Sequence, residues 1–479
     1  MPSPMSGSVD EDVVDPRLEP TVNAVNWDAL SAIACDIYRV ESATWGQQFN
    51  GGYNVVRFLR LGDENGTEIV ARVPYRPEDG MTGERAEALG RRIASEVATM
   101  EYVAEQANIP VPRVIAHNIE KDGDGVDSPY ILMSKMDGAP LSSLWDDMED
   151  KKREVILRQV VDILLQLSSV RFDSIGALFK GDGITKPAWY IEPQLSVLDI
   201  DDFSVLRAIS GRLYNNALDY WTSYANVNLE RIDKEDFGHV NKSYGYVMAW
   251  FLRSLIPTLF DTSLDTKGFS LSPGDFHSQN IMVTHADTSS PRITAVIDWE
   301  FTSTDPTSTF AQYPLFIVDH PYWNDDHPLK PRNLQDQATF NRLMREAESK
   351  SNPEGGLPLS QAYETCYGVY LFQQCMSDPA MFDVLYQPLF QHIFGEQDED
   401  EEDFSVTYYR ALMNGILKKK TDQFEKEAAV KQEAVKILGD EVVTFELTRS
   451  GFEDIVLEHR NKFEPQGEVM EWLTLYGKN

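Results

Sequence analysis

Residues 270–302 limit what this chain can fold into more than any other stretch. They contain two short apolar runs, at 281–283 and 293–297, separated by a polar segment with a proline. Short apolar runs on either side of turn-forming residues predict a β-hairpin. Polar side chains stand just before the first strand and just after the second, so strand pairing would bring residues that are distant in the sequence to one end of the hairpin.

Three of these polar residues form a chemically specific set. Asp275 and Asn280 precede the first strand, and Asp298 follows the second. Two carboxylates and an amide oxygen are the ligands that Mg²⁺ prefers beside phosphates. In kinase-type catalytic loops, an Asp five residues before an Asn accepts the proton of the attacking hydroxyl, and the Asn and a later Asp hold metal. The alternative is a pair of loop caps; Gly274 before Asp275 and the apolar strand after Asn280 favour the catalytic interpretation.

The same residues carry a family resemblance. Residues 273–281 (PGDFHSQNI) and 296–300 (VIDWE) resemble the signature of the aminoglycoside phosphotransferase and choline kinase superfamily, and of its fungal branch above all. The resemblance implies an α+β, protein-kinase-like fold of two lobes, with a small antiparallel-sheet N-lobe and a large, mainly helical C-lobe. It also implies ATP and Mg²⁺ as cofactors. Pro273 stands where the family has a histidine that supports the loop.

The length of the chain agrees with more than one core. A chain of 479 residues exceeds what one hydrophobic core usually supports, and 42% of its residues are hydrophobic. We predict a flexible leader at 1–25, an N-lobe at 26–138, a C-lobe with the catalytic hairpin and substrate-pocket helices at 139–395, an acidic loop at 396–403, and a helical C-terminal extension at 404–479.

The predicted N-lobe holds a helix, a hairpin and a glycine pair. Helical spacing of apolar residues predicts a helix over 26–40, and two strands joined by the turn at 62–66 predict a hairpin. Gly51, Gly52 and Asn54 precede this hairpin, where the resemblance implies the nucleotide-covering loop. Glycines there would let backbone amides approach phosphate oxygens; the alternative is a simple turn.

Two further sites in this region follow from the resemblance. Arg72 stands where a kinase has its phosphate-binding lysine, and Glu96 matches the helix glutamate that orients it, so we expect an ion pair between them; a surface arginine on an edge strand is the alternative. Backbone groups near Ser134 to Met136 would contact adenine at the end of a strand. The alternative there is an ordinary buried strand.

Substrate-binding residues are less well defined. The aromatic-rich region 180–267 predicts either helix packing or a cage for a cation, and packing is the simpler interpretation. The segment 313–326 is either part of an acceptor site or a solvated loop. His277 and His320 are candidate bases, but Asp275 already fills that role, so both are interpreted as loop residues.

The charge of the chain limits its partners. Its formal net charge is −34, from 43 Lys plus Arg against 77 Asp plus Glu. Such a field repels nucleic acid and anionic membranes, so we expect neither as a partner, and it favours a neutral or cationic substrate; the alternative is that it serves solubility. Three scattered cysteines and a polar N-terminus predict a cytoplasmic protein. We expect a monomer or a dimer.

The residues and the resemblance together predict an ATP- and Mg²⁺-dependent phosphotransferase. It would phosphorylate a hydroxyl of a small molecule, such as an amino-alcohol or an aminoglycoside-like compound, with Asp275 as base and Asn280 and Asp298 as metal ligands. Two alternatives stay open. One is a nucleotide-binding regulatory protein without catalysis, favoured by Pro273 and Arg72, and the other is a kinase that acts on protein side chains.

Overall fold

The computed structural model describes residues 15–76, 83–120, 123–193, 212–234, 242–320, 323, 326–352, 358–377, 381–395, 410–412, 414–415, 417–444 and 447–476. The chain forms two compact units. The first comprises Met1–Asn216 and Ser263–Cys366, and the second comprises Ala217–Thr262 and Tyr367–Asn479. Helices and strands are numbered along the chain.

An antiparallel sheet forms the N-terminal part of the first unit. Its strands lie in the order β1-β2-β3-β5-β4, and their bounds are β1 Ala43–Asn50, β2 Asn54–Leu61, β3 Glu68–Pro74, β4 Val114–Asn118 and β5 Tyr130–Ser134. Side chains alternate along β3, so that Ile69, Ala71 and Val73 enter one buried cluster while Val70 and Arg72 face the other side. Fully burying an Ile or a Val contributes about 1.5–3 kcal/mol.

Helices cover both faces of this sheet: α1 Leu18–Ala24, α2 Trp27–Tyr38 and α3 Gly83–Gln106. Leu30 and Ala34 of α2 pack into the same buried cluster as Ile69, Ala71 and Val73 of β3. The Asn26 side chain caps this helix by accepting a hydrogen bond from the Ala29 amide at 3.1 Å. The helix predicted over 26–40 is therefore confirmed.

The segment before α2 differs from the predicted flexible leader. Residues 1–14 lie outside the described part of the chain, but Leu18–Ala24 is helical. Thr21 is fully buried, and its hydroxyl accepts a hydrogen bond from the Arg76 amide at 2.9 Å. The short, mixed sequence of α1 has no clear helical periodicity, so the sequence alone did not predict this helix. Tertiary contacts rather than an apolar stripe hold it in place.

The rest of the first unit surrounds the predicted catalytic hairpin. Strands β11 Ile281–Thr284 and β12 Arg292–Val296 form that hairpin, and β6 Ala139–Pro140 pairs with β11. Its hydrophobic core includes Leu157, Leu164 and Trp299. The other elements are α4 Asp150–Ser169, α7 Thr307–Phe310, α8 Lys330–Ser351, α9 Pro358–Glu364, and strands β7 Arg171–Phe172, β8 Ala177–Lys180, β9 Trp189–Glu192, β10 Phe269–Ser272 and β13 Ser303–Asp305.

The second unit is helical in its described part. Trp221 packs its ring against Phe260 and Phe372, with centroids 5.5 and 5.4 Å away, which favours helix packing over a cation cage at this residue. The predicted acidic loop at 396–403 lies outside the described residues. The helices are α5 Ala217–Lys234, α6 Lys242–Leu259, α10 Tyr367–Ser377, α11 Phe382–Phe394, α12 Lys418–Leu438, α13 Arg449–Glu458 and α14 Glu468–Tyr476.

The predicted fold class is confirmed. The chain combines a small antiparallel sheet in its N-terminal region with a helical C-terminal region. None of the helices that the structure describes is both long enough and apolar enough to cross a lipid bilayer.

Asp305 is a buried carboxyl group at the end of β13, and only 7% of its surface is exposed. The Ser303 hydroxyl donates to its Oδ2 at 2.9 Å. Burial raises the pKa of Asp305 to about 6, and hydrogen bonds from Ser303 and Ser272 oppose that rise only in part. The folded protein therefore holds this proton more tightly than the unfolded chain. The resulting stability is complete below about pH 4 and is lost as the pH rises through about 6.

We expect Asp305→Asn to remove this pH dependence, because an amide stays neutral throughout. From about pH 4 to about pH 8, the free energy of unfolding of the wild type should fall by about 3 kcal/mol more than that of the variant, since the pKa differs by about two units at about 1.4 kcal/mol each. Urea denaturation at the two pH values measures the difference. Asp287→Asn, on an exposed turn, is the control, and an unchanged pH dependence in Asp305→Asn would contradict the assignment.

Candidate active site

The predicted catalytic hairpin brings Asn280 to the residue that precedes Asp298. Ile281 pairs with Val296, and the Ile297 amide donates to the Asn280 carbonyl at 2.8 Å. This bond extends the ladder by one residue beyond each strand, so Asn280 and the chain entering Asp298 meet at the open end of the hairpin. The residues that the sequence separates by an entire hairpin therefore lie at one end of it.

Asp275 is held by two neighbours and remains partly exposed. The Asn280 side-chain nitrogen donates to the Asp275 carbonyl at 3.0 Å and to its Oδ2 at 3.3 Å. His277 Nε2 lies 3.1 Å from the same Oδ2, and 39% of the Asp275 side chain is exposed. Oδ1 carries no hydrogen bond from any residue that the structure describes, so one carboxylate oxygen is left for a ligand.

His277 has a role that sequence reasoning missed. Its Nδ1 accepts a hydrogen bond from the Gln279 amide at 3.0 Å. In a neutral imidazole the proton then resides on Nε2, which faces Asp275 and can donate to it. His277 is thus a loop residue as predicted, but it also supports Asp275, and Pro273 leaves no imidazole at the position where the family has one.

Gly274 allows two segments of the chain to pack closely beside Asp275. A Cβ atom at this position would lie 2.4 Å from the Phe301 carbonyl oxygen, which is a severe clash. A side chain here would push the segment after Asp298 away from the loop that carries Asp275. The glycine therefore keeps the two predicted catalytic aspartates on closely packed segments.

Arg72 contacts three carboxylates at once. One terminal nitrogen of its guanidinium contacts Glu96 on α3, and the other contacts Glu300 and also Asp298, the last at 2.8 Å. The expected contact between Arg72 and Glu96 is present. Both terminal nitrogens of this buried arginine are occupied by carboxylates, however, so a direct contact between Arg72 and phosphate stays a prediction.

Glu300 joins several elements and received no role from the sequence. Its Oε2 accepts a hydrogen bond from the Asn54 side chain at 3.0 Å, and its Oε1 forms an ion pair with Arg92 Nε at 2.8 Å. Asn54, expected in nucleotide binding, thus directs its side-chain nitrogen to Glu300. Two signals were available: Glu300 lies two residues after Asp298, and Arg92 lies one helical turn before Glu96.

The cluster carries an excess of negative charge. Arg72 and Arg92 face the three carboxylates of Glu96, Asp298 and Glu300. Burial acts to lower the pKa of Arg72, but the surrounding carboxylates outweigh it and raise that pKa. Burial, together with the charges of Glu300 and Asp298, raises the pKa of Glu96 to about 8 despite the attraction of Arg72. Burial thus favours a proton on Glu96, which reduces the formal excess of negative charge in the cluster.

Asn280 and Asp298 fit a magnesium ion by their donor types. Asp298 Oδ1 bonds to Arg72, whereas its Oδ2 and the Asn280 Oδ1 carry no hydrogen bond within the described part of the chain. Among the described residues, no group of three His, Cys, Asp or Glu side chains is placed to hold a metal ion alone. Mg²⁺ usually takes one or two carboxylates plus phosphate and water oxygens, so a carboxylate with an amide oxygen is a suitable protein contribution.

Asp298 adopts a strained backbone conformation. Its φ of +61° lies in the left-handed region, which costs a non-glycine residue roughly 1–2 kcal/mol. Such strain persists where the surrounding contacts fix the residue, and Arg72 holds its carboxylate. Strained residues of this kind often lie at functional sites.

The glycine pair forms the turn between β1 and β2. The Gly51 amide donates to the Asn54 carbonyl at 2.9 Å, whereas the amides of Gly52 and Tyr53 have no hydrogen bond among the described residues. The Tyr53 ring packs edge-on against Phe301, with centroids 5.6 Å apart. The turn therefore lies over the segment that follows Asp298, with two amides left for a ligand.

The strand predicted to contact adenine is β5, which ends at Ser134. The Ser134 amide donates to the Arg113 carbonyl at 2.9 Å, and the Ser134 hydroxyl accepts from the Arg113 amide at 2.8 Å, so the backbone donor of Ser134 is already used. The Ser134 hydroxyl also lies 3.7 Å from the Met136 sulfur. Any backbone hydrogen bond donated to adenine would then come from Lys135 or Met136.

The segment predicted as an acceptor site is only partly described. Tyr313 exchanges hydrogen bonds with Asn341 at 2.7 and 3.1 Å, and its ring packs against Phe340, so this residue belongs to the core. Trp323 stacks on His327 with centroids 4.0 Å apart. Residues 321, 322, 324 and 325 lie outside the described residues.

Comparisons with known proteins place this site in a family. A family model described as APH, phosphotransferase enzyme family, matches residues 45–308. A subtelomeric hrmA-associated cluster protein of Aspergillus fumigatus is 33% identical over 129 residues, which are 27% of this chain and 23% of that protein. The altered inheritance of mitochondria protein 9, mitochondrial, of Meyerozyma guilliermondii is 28% identical over 125 residues, 26% of this chain and 19% of that protein. The matches span less than a quarter of the length of either relative.

Solved structures were compared as well. A macrolide 2′-phosphotransferase from Brachybacterium faecium is 14% identical, with a TM-score of 0.37, and the match covers 78% of this chain and 100% of that one. The family match decides the assignment, because the family model spans more than half of the chain and its matched range contains Asp275, Asn280 and Asp298. On that match, the chain belongs to the APH phosphotransferase enzyme family.

Proposed function

We propose that this protein is a kinase that transfers the γ-phosphoryl group of ATP to a hydroxyl group of a small molecule. The observation that carries the proposal is the state of Asp275. His277 and Asn280 hold its Oδ2, its side chain is 39% exposed, and its Oδ1 has no hydrogen bond from a described residue. An oriented carboxylate with one available oxygen suits a group that positions an attacking hydroxyl and accepts its proton.

The other residues provide placement and charge. Asn280 Oδ1 and Asp298 Oδ2 would hold Mg²⁺, which supplies charge neutralisation at the phosphates when it is bound. Arg72 fixes the Asp298 carboxylate through its 2.8 Å contact. The amides of Gly52 and Tyr53 are suited to phosphate oxygens, because backbone N–H groups in a turn bind anions.

The net charge supports a cationic or neutral acceptor. With a formal net charge of −34, the protein attracts ammonium groups and repels anions. An amino-alcohol or an aminoglycoside-like compound therefore fits better than an anionic acceptor. Among the described residues of the predicted acceptor segment, Asp319, Trp323 and Asp326 are the candidates for contacting it.

A second candidate is a nucleotide-binding regulatory protein without catalysis. The observation that favours it is Arg72, whose terminal nitrogens are both occupied by carboxylates. A thermal-shift assay with Mg·ATP, paired with ATP consumption over a panel of amine- and sugar-alcohols, separates the two functions. Binding with turnover supports the kinase, and binding without turnover on any acceptor supports the regulatory protein.

We expect Asp275→Ala to lower turnover by about 100- to 10,000-fold, the usual contribution of a general base, while Mg·ATP binding stays close to that of the wild type. Asp298→Ala should instead weaken Mg·ATP binding, because a proposed metal ligand is lost. Calorimetric titration and ATP consumption measure the two effects. Asp287→Ala, on the exposed turn of the same hairpin, is the control, and wild-type turnover in Asp275→Ala would contradict the proposed role.

His277→Ala should lower kcat by about tenfold with little change in the KM for Mg·ATP. The reason is that Asp275 loses one hydrogen bond, worth about 1.5 kcal/mol to a charged group. His277→Gln keeps an N–H donor and should retain more activity. Steady-state kinetics provide the test, with His285→Asn at the exposed hairpin turn as the control; an equal fall in both His277 variants would exclude a role through this hydrogen bond.

A further inference from the structure

Arg92 has a buried hydrogen-bond donor without a partner among the described residues. Only 8% of its surface is exposed, and its Nε forms the ion pair with Glu300 at 2.8 Å. Its Nη1 is buried and has no hydrogen-bond partner among the residues that the structure describes. An unpaired buried donor is costly, and more so on a charged group, so a ligand is the natural partner for it.

The position of Arg92 indicates what kind of ligand this is. Its guanidinium carbon lies 5.8 Å from the Tyr53 ring centroid and 5.6 Å from that of Phe301. Tyr53 belongs to the glycine turn, and Phe301 follows Glu300 in the segment after Asp298. The two rings are themselves 5.6 Å apart, so the guanidinium lies against the contact between the turn that would cover the phosphates and the segment that would hold the metal.

Arg72 is poorly placed to serve the phosphates in the same way. Its two terminal nitrogens contact Glu96, Asp298 and Glu300, so a phosphate oxygen would have to displace a carboxylate. Arg92 uses Nε for its carboxylate and keeps a terminal nitrogen. A planar guanidinium can bind one anion through Nε and another through a terminal nitrogen, because its donors point in different directions.

We propose that Arg92 contacts a phosphate oxygen of the bound nucleotide through Nη1, and so supplies the direct cationic contact expected of Arg72. This inference rests on the proposed nucleotide-dependent function. It assigns the two arginines different tasks: Arg72 holds the carboxylates in place, and Arg92 binds the ligand.

The test compares nucleotides that differ in phosphate content. In Arg92→Met, affinity for Mg·ATP should fall by about 10- to 100-fold, the value of a lost charge-assisted hydrogen bond. Affinity for adenosine should stay within about twofold of the wild type. Calorimetric titration with ATP, ADP and adenosine gives the ratio of ATP to adenosine affinity, which a general loss of folding would not change selectively.

Arg91→Met is the matched control. Arg91 is the neighbouring residue on α3, but it pairs with Glu192 at 3.1 Å and lies over the Phe179 ring, away from the glycine turn. This variant loses the same charge from the same helix. Its ratio of ATP to adenosine affinity should match that of the wild type.

A second pair of variants separates ligand contact from mere balancing of the Glu300 charge. If Arg92 only neutralises Glu300, adding Glu300→Gln to Arg92→Met should restore the preference for ATP, and that result would overturn the inference. Direct contact predicts that the double variant stays impaired. Arg92→Lys keeps the positive charge but has a single ammonium group, which should remain paired with Glu300. This variant should therefore also lose the preference for ATP. It keeps the test decisive if Arg92→Met fails to fold.

Failure of this inference differs from failure of the proposed function. If the wild-type protein binds none of the three compounds, the proposed function is wrong and the inference falls with it. If the wild type prefers ATP and both Arg92 variants keep that preference, only the role of Arg92 is overturned.

Discussion

The contact between Arg72 and its three carboxylates determines how the candidate site is assembled. It joins β3, helix α3 and the segment after the catalytic hairpin through Glu96, Asp298 and Glu300. Because all three carboxylates share one guanidinium, none can move without affecting the others. A lysine ammonium is a compact point charge without this planar set of donors, which explains why an arginine suits this arrangement. The position of Asp298 is thus fixed from outside the hairpin that carries it.

The surplus of carboxylates over arginines determines which kind of ligand this cluster favours. Two arginines face three buried or partly buried carboxylates, and burial above all, with a smaller effect of Glu300 and Asp298, raises the pKa of Glu96. A cluster of this composition is more favourable when a further cation joins it. In the proposed function, the cation is the metal that accompanies the nucleotide, so binding relieves an electrostatic cost already present in the folded protein. In the proposed function, the carboxylates that assemble the site would also attract the metal ion, and no additional residue is needed for that.

The sequence predicted those parts of the site that depend on local periodicity. The hairpin strands and the helix before β1 follow from apolar spacing, and both are confirmed. The expected pair of Arg72 and Glu96 came from the family resemblance, and the contact is present. The contact of Asn54 with Glu300 joins residues 246 positions apart, and no local pattern encodes it. The support that His277 gives to Asp275 depends on which imidazole nitrogen the loop already occupies. The roles of Glu300 and Arg92 likewise appear only when distant segments are packed together.

Helix α1 has a practical consequence for any shortened form of this protein. Thr21 is fully buried, and Arg17 donates to the Gly52 carbonyl at 3.1 Å, so residues before Trp27 contact the glycine turn directly. Trimming the polypeptide at residue 25, where composition alone suggests a dispensable tail, would therefore remove the hydrogen bond that supports the glycine turn.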